Sequence, residues 1–155
     1  MRELYTIIPK LPGVRVYLFA EDERNSKELA RFCKEMDHYL EIVAFDEEIF
    51  EKIKNLEAKT RLIEEEKERY NQRAYHYDTI FIDYAVDKLK DKEQFFKKVY
   101  RMTKNAGDIV FEVEEGSLED YMKLLEDVNF VAINPIKSQN RTYLTAKKLH
   151  GWTKV

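Results

Sequence analysis

Carboxylates are the residues of this sequence best placed to do chemistry. Glu21, Asp22 and Glu23 follow the apolar run 14–20, Asp46 closes the apolar run 40–45, and Asp83, with Tyr84 beside it, closes the run 79–82. The carboxyl ends of strands form the ligand-binding edge of an open α/β sheet, so acids at strand ends can converge there. Glu21, Asp22 and Asp83 together would suit a hard cation such as Mg2+. The competing reading is a solvated acidic loop and a strand-end aspartate bonded to backbone amides. Asp46, followed by Glu47 and Glu48, also fits a plain helix N-cap with acids favoured by the helix dipole.

Other reactive side chains carry less. His38, His76 and His150 show no ligand spacing and have no neighbouring cysteines, which argues against a zinc site. Cys33 lies on the apolar face of a helical pattern and reads as core rather than nucleophile. Tyr70, Tyr75, Tyr77 and Tyr84 could stack on a base or an adenine ring, but no basic stripe accompanies them, so they read as packing residues.

These acids need strands and helices to position them. Residues 14–20, 40–45, 79–83 and 108–113 are apolar, β-branched and aromatic runs that suit buried strands. Between them lie helical patterns: Leu29, Phe32, Cys33 and Met36 from Ser26 onward, and Phe95, Phe96, Val99 and Met102 after Asp91, with Gln94 in the capping-box position. A further helix is expected from Ser117 to about Asn129, with Tyr121, Leu125 and Val128 facing inward. Residues 47–77 contain no Gly or Pro and include the charge run 64–69, which predicts one long charged helix or two, with Ile53, Leu56 and Ile63 as its stripe. Residues 130–133 and 141–146, separated by the turn-rich 135–140, predict an antiparallel hairpin. Strands alternating with helices imply right-handed crossovers and a mostly parallel sheet covered on both faces, with the first strand between the second and the third.

The 155 residues and 44% hydrophobic content fit a single domain spanning 1–155. With 37% charged residues nearly cancelling to a net charge of -3, no overall field draws the chain to nucleic acid or to an anionic membrane. A single cysteine, no basic-apolar leader and no apolar stretch near the roughly 20 residues of a bilayer span lead to the expectation of a cytoplasmic protein outside the membrane.

Residues 77–83, then 89–113 with the turn Lys104-Asn105-Ala106-Gly107, resemble the second half of class I S-adenosylmethionine methyltransferases, where a strand leads through a helix to a "LKPGG" turn and the next strand. Leu11-Pro12-Gly13 before the first strand and the C-terminal hairpin are similar to that family too. The resemblance implies a three-layer Rossmann-like α/β fold. It also implies a cofactor edge at Ala20, Glu21 and Asp22 for the methionine end, Asp46 for the ribose, and Asp83 with Tyr84 facing a methyl acceptor. Two departures stand out. The family's glycine-rich loop after the first strand is replaced by Ala20-Glu21-Asp22-Glu23-Arg24-Asn25, with no glycine between Gly13 and Gly107. No segment corresponds to the family's third strand, so one βα unit fewer is expected. The sequence thus predicts a pseudoenzyme that binds S-adenosylmethionine weakly or not at all and serves in binding or scaffolding, with a protein partner or a second copy paired through the 47–77 helix. The alternatives are an active methyltransferase with an unusual loop, and a chain that resembles response-regulator receiver domains through its acids and Asn134-Pro135-Ile136.

Overall fold

The computed structural model describes residues 1–149. His150, weighed above as a metal ligand, lies outside the described residues. The chain opens with a 3-10 turn, Arg2–Ile7, and continues as β1 (Arg15–Phe19), α1 (Glu23–Glu35), β2 (Tyr39–Ala44), α2 (Glu47–Ile53), β3 (Lys59–Leu62) and β4 (Tyr77–Ile82). A short 3-10 turn, Val86–Lys88, leads to α3 (Lys92–Met102), β5 (Thr103–Val113), α4 (Leu118–Asp127), β6 (Val131–Ser138) and β7 (Arg141–Lys147).

One seven-stranded sheet holds them in the order β3-β2-β1-β4-β5-β7-β6. β1 pairs in parallel with β2 and β4, β2 with β3, and β4 with β5, while β7 runs antiparallel to both β5 and β6. The expected placement of the first strand between its two neighbours holds, as does the C-terminal hairpin. Alternation along β1 splits the core in two. Val16 and Leu18 face the layer of α1, α2 and the N-terminal turn; Tyr17 and Phe19 face the layer of α3 and α4.

Three sequence expectations are corrected. The helix from residue 47 ends at Ile53 rather than running to 77. Ile53 and Ile63, two of the residues expected to pair with a second copy, are buried in the core, so the partner-helix reading fails. The third strand is present: Lys-Thr-Arg-Leu at 59–62 extends the parallel sheet beside β2. What its unit lacks is the following helix, because residues 63–76 contain no regular helix or strand. The hairpin turn is also shorter than expected. Pro135 lies inside β6, an edge strand that tolerates a missing N–H, and only Gln139 and Asn140 make the turn, both with positive φ as a two-residue hairpin loop demands.

α1 begins three residues earlier than the apolar pattern implies. Asp22 is its N-cap, with the side chain accepting from the Arg24 amide at 2.7 Å. Ser26, the expected start, is instead fully buried. A receiver-like fold would cover β5 with a terminal helix. Here β7 covers that edge of the sheet.

Candidate functional site

The chain reverses its lateral direction between β1 and β4, winding outward to β3 on one side and to β5 on the other. In open α/β sheets that switch point opens a crevice at the carboxyl ends of the strands. All six residues singled out from the sequence are found along that edge, and most of them are committed to bonds within the chain.

Ala20 continues the sheet, its amide donating to the Val43 carbonyl at 2.8 Å, and it is buried. Glu21 spans the crevice. Its carboxylate accepts from the Ala85 amide at 3.0 Å and pairs with the Lys88 ammonium at 2.8 Å, so the loop after β1 is tied to the loop after β4. The Lys88 pKa is raised: burial opposes the charge, and the hydrogen bond and field of Glu21 more than offset it. The same ammonium lies 4.6 Å from the Tyr84 ring centroid. Tyr84 in turn meets Phe45 edge-on with centroids 5.1 Å apart.

Asp22 and Asp83 form a second tie. The Asp22 amide donates to one Asp83 carboxylate oxygen and the Asn25 side-chain amide donates to the other, both at 3.0 Å. The Asp83 and Tyr84 amides both donate to the Phe19 carbonyl at 3.0 Å, which fixes the turn after β4 against the end of β1. Burial pushes the Asp83 carboxyl above its usual range; its two hydrogen bonds oppose that rise, and the charges of Asp22 and Glu21 add to it. Asp46 accepts from the Ile49 amide at 2.8 Å and caps α2.

Sequence reasoning missed Lys88 and Asn25, the two side chains that neutralise or bond these acids. Lys88 is five residues beyond Asp83 in the loop leaving β4, and that position on the same sheet edge was the available signal. Asn25 sits in the first turn of α1, which the later helix start concealed.

Beside these ties the edge carries two shallow hollows. One of about 300 Å³ is lined by Asp83, Tyr84, Asp87, Glu112, Glu114 and Arg141. The other, of about 600 Å³, lies against Met1, Arg2, Arg24, Glu28 and Tyr143. No group of three or more His, Cys, Asp or Glu side chains among the described residues is arranged to hold a metal ion. The convergence of Glu21, Asp22 and Asp83 on a cation, one of the sequence readings, is replaced by bonds to protein amides and Lys88. Cys33 is buried and its thiol is pushed up to about 12 by burial, as suits a core position. Both nitrogens of the buried His38 lack a protein partner, and burial lowers its pKa.

Solved structures match this architecture across nearly the whole chain. The YcgJ protein of Bacillus subtilis superposes with a TM-score of 0.75 at 11% identity, covering 97% of this chain and 98% of that one. A SAM-dependent methyltransferase of Aquifex aeolicus gives 0.71 at 12% identity, covering 94% and 87%. The chain has the class I methyltransferase fold. The CurJ carbon methyltransferase carries the same architecture, with a TM-score of 0.74 at 11% identity over 96% of this chain; the chain spans 52% of that protein's length. No family profile and no curated protein sequence matches the chain. The methyltransferase fold therefore rests on geometry, with its seven strands complete and one crossover helix absent. No helix among the described residues is long and apolar enough to cross a membrane.

Proposed function

We propose that this chain uses the methyltransferase fold as a binding or scaffolding module and has lost productive use of S-adenosylmethionine. The observation that carries the reading is the Glu21 bridge. A class I cofactor site needs a loop after β1 whose backbone approaches the ligand closely, which is why glycines serve there. In this chain that loop places a carboxylate across the crevice, bonded to Ala85 and Lys88 on the far side. Asp22, the next residue, is occupied as a helix cap and as a donor to Asp83.

The residues present do not suit the cofactor at its methionine end. A ligand carboxylate brought to about 4 Å from one of these acids meets on the order of 4 kcal/mol of repulsion at an effective dielectric near 20. That corresponds to roughly a thousandfold in affinity. Lys88 cannot relieve it without abandoning Glu21. At the ribose end Asp46 lies at the end of β2, where the resemblance puts the ribose acid, and it recovers only part of such a loss.

Calorimetric titration of the full chain with S-adenosylmethionine and S-adenosylhomocysteine tests the reading. We expect no saturable heat at millimolar ligand and no methyl transfer. A micromolar dissociation constant overturns it and restores the enzyme reading, in which Asp46→Ala should weaken cofactor binding and Asp83→Ala should lower turnover.

A further inference from the structure

Tyr39 and Tyr75 are the only Phe or Tyr rings left exposed among the described residues, at 40% and 54%. Both lie at the amino-terminal edge of the parallel strands, the end of the sheet opposite the crevice. The fold interleaves them with cations. Across the adjacent strands β2, β1, β4 and β5 this edge carries Tyr39, Arg15, His76 and Lys104, an alternation of ring and cation roughly 14 Å long at about 4.8 Å per strand. Arg15 is the register partner of Tyr39. His76 immediately precedes β4, and its amide donates to the Met102 carbonyl at 3.0 Å, beside the start of β5.

The cations act on one another's surroundings. The His76 pKa is lowered, first by burial and then by the charges of Arg15, Arg73 and Lys104, while Glu41 opposes them. The Arg15 and Arg73 guanidinium groups form no ion pair among the described residues. Asp78 is the carboxylate within the row: it accepts from the Arg15 amide at 2.8 Å and pairs with the Lys104 ammonium at 3.4 Å, offsetting part of that charge. Asp37, two residues before Tyr39, marks the acidic end of the row. The rings are held in advance. Tyr75 rests on the Lys148 ammonium, 3.8 Å from its centroid, and His76 meets Tyr77 edge-on at 4.9 Å. No basic stripe was legible beside the tyrosines because the cations come from residues 15, 73 and 104, far apart in sequence.

We propose that this edge binds single-stranded nucleic acid, with bases stacking on Tyr39, His76 and Tyr75 and phosphates meeting Arg15, Arg73 and Lys104. Rings interleaved with cations fit a chain in which planar bases accompany regularly spaced phosphates. An acidic peptide would use the cations and leave the rings without planar partners. The proposal rests on the binding-module reading above and supplies its partner; the cofactor titration probes the opposite edge, so the two can fail separately.

The test is fluorescence anisotropy of a labelled 12-nucleotide oligouridylate with the full chain at 50 and 200 mM salt. Three phosphates neutralised on a single strand give a slope near -2 in log affinity against log salt, a loss of roughly twentyfold between the two conditions. Tyr39→Ala and Tyr75→Ala should each weaken binding about tenfold, the loss of one stacked base. Arg73→Gln should flatten the slope by about 0.7. Lys137→Gln, beside the hairpin turn at the opposite edge, should change neither.

No binding at 50 mM salt overturns the proposal. So does binding that salt weakens but neither tyrosine substitution does, which would mark diffuse attraction. Equal binding of a labelled polyglutamate peptide would assign the edge to an acidic partner instead. Should a tyrosine variant fail to fold, Arg73→Gln decides, since Arg73 is exposed and an unchanged salt slope there would sink the reading.

Discussion

Asp83 shows two opposing influences on one carboxyl. It accepts from the Asp22 amide and the Asn25 side chain, which favours the charged form, and it is buried beside Glu21 and Asp22, which disfavours it; the second influence prevails and its pKa is raised. A carboxyl that holds its proton more tightly in the folded state weakens folding as pH rises from the unfolded value, near 3.8, through the folded one. Asp83→Asn removes that titration. The wild type should therefore lose ground to Asp83→Asn as pH rises across the carboxylate range, read from urea midpoints at pH 3.5 to 7 at about half-unit steps. An opposite slope would mean that the two hydrogen bonds outweigh burial. Asp83 was legible in the sequence as a strand-end acid. That Asp22 meets it through a backbone amide rather than a shared cation, and that Asn25 supplies the second bond of the brace between β1 and β4, was not, because these contacts span 61 and 58 positions.

The elements show why one stretch of sequence misled. Residues 54–77 hold no Gly or Pro and are rich in Glu, Lys and Arg, all good helix formers. Tertiary bonds overrule that preference. β3 is a four-residue edge strand whose apolar content is a single leucine, so no alternation announced it. Its register is fixed by Arg61, which reaches Glu41 on β2 at 2.8 Å while Tyr77 of β4 donates to the same carboxylate at 3.3 Å. Glu41 is 2% exposed, and Arg61 makes the shorter of its two ion pairs, Lys59 standing at 3.9 Å. Arg61→Met should cost about 1–3 kcal/mol, because the buried carboxylate loses its charge-assisted bond and keeps only Lys59 at 3.9 Å and the tyrosine hydroxyls, and adding Glu41→Leu should recover much of it. Chemical denaturation of the two variants checks this; a double variant no more stable than Arg61→Met would refute the pairing argument. α1 offers a smaller test at its N-cap. Asp22→Ala removes the cap on Arg24 and should cost about 1 kcal/mol.

At the scale of the whole molecule, the apolar alternation was enough to read a parallel sheet with a terminal hairpin, because β1, β2, β4 and β5 are buried on both faces and carry continuous apolar runs. The hairpin is part of the same cooperative unit. Leu144 and Ala146 of β7 pack in one core layer and Tyr143 in the other, opposite the β5 run Ile109, Val110 and Phe111. Lys148, just beyond β7, donates to the Tyr100 carbonyl at the end of α3 at 2.8 Å and lies under the Tyr75 ring at 3.8 Å. A receiver-like five-stranded sheet would end at β5 and tolerate the loss of β6 and β7. In this chain, truncation after Phe130 would turn β5 into a long apolar edge, with Ile109, Val110 and Phe111, each no more than 2% exposed, brought to the margin of the sheet. We expect the truncated chain to aggregate or remain unfolded, and the full chain to unfold in one transition seen identically by far-ultraviolet dichroism and tyrosine absorbance. A soluble truncated chain with a cooperative melt would show that the hairpin is an appendage, and that five strands suffice for this core.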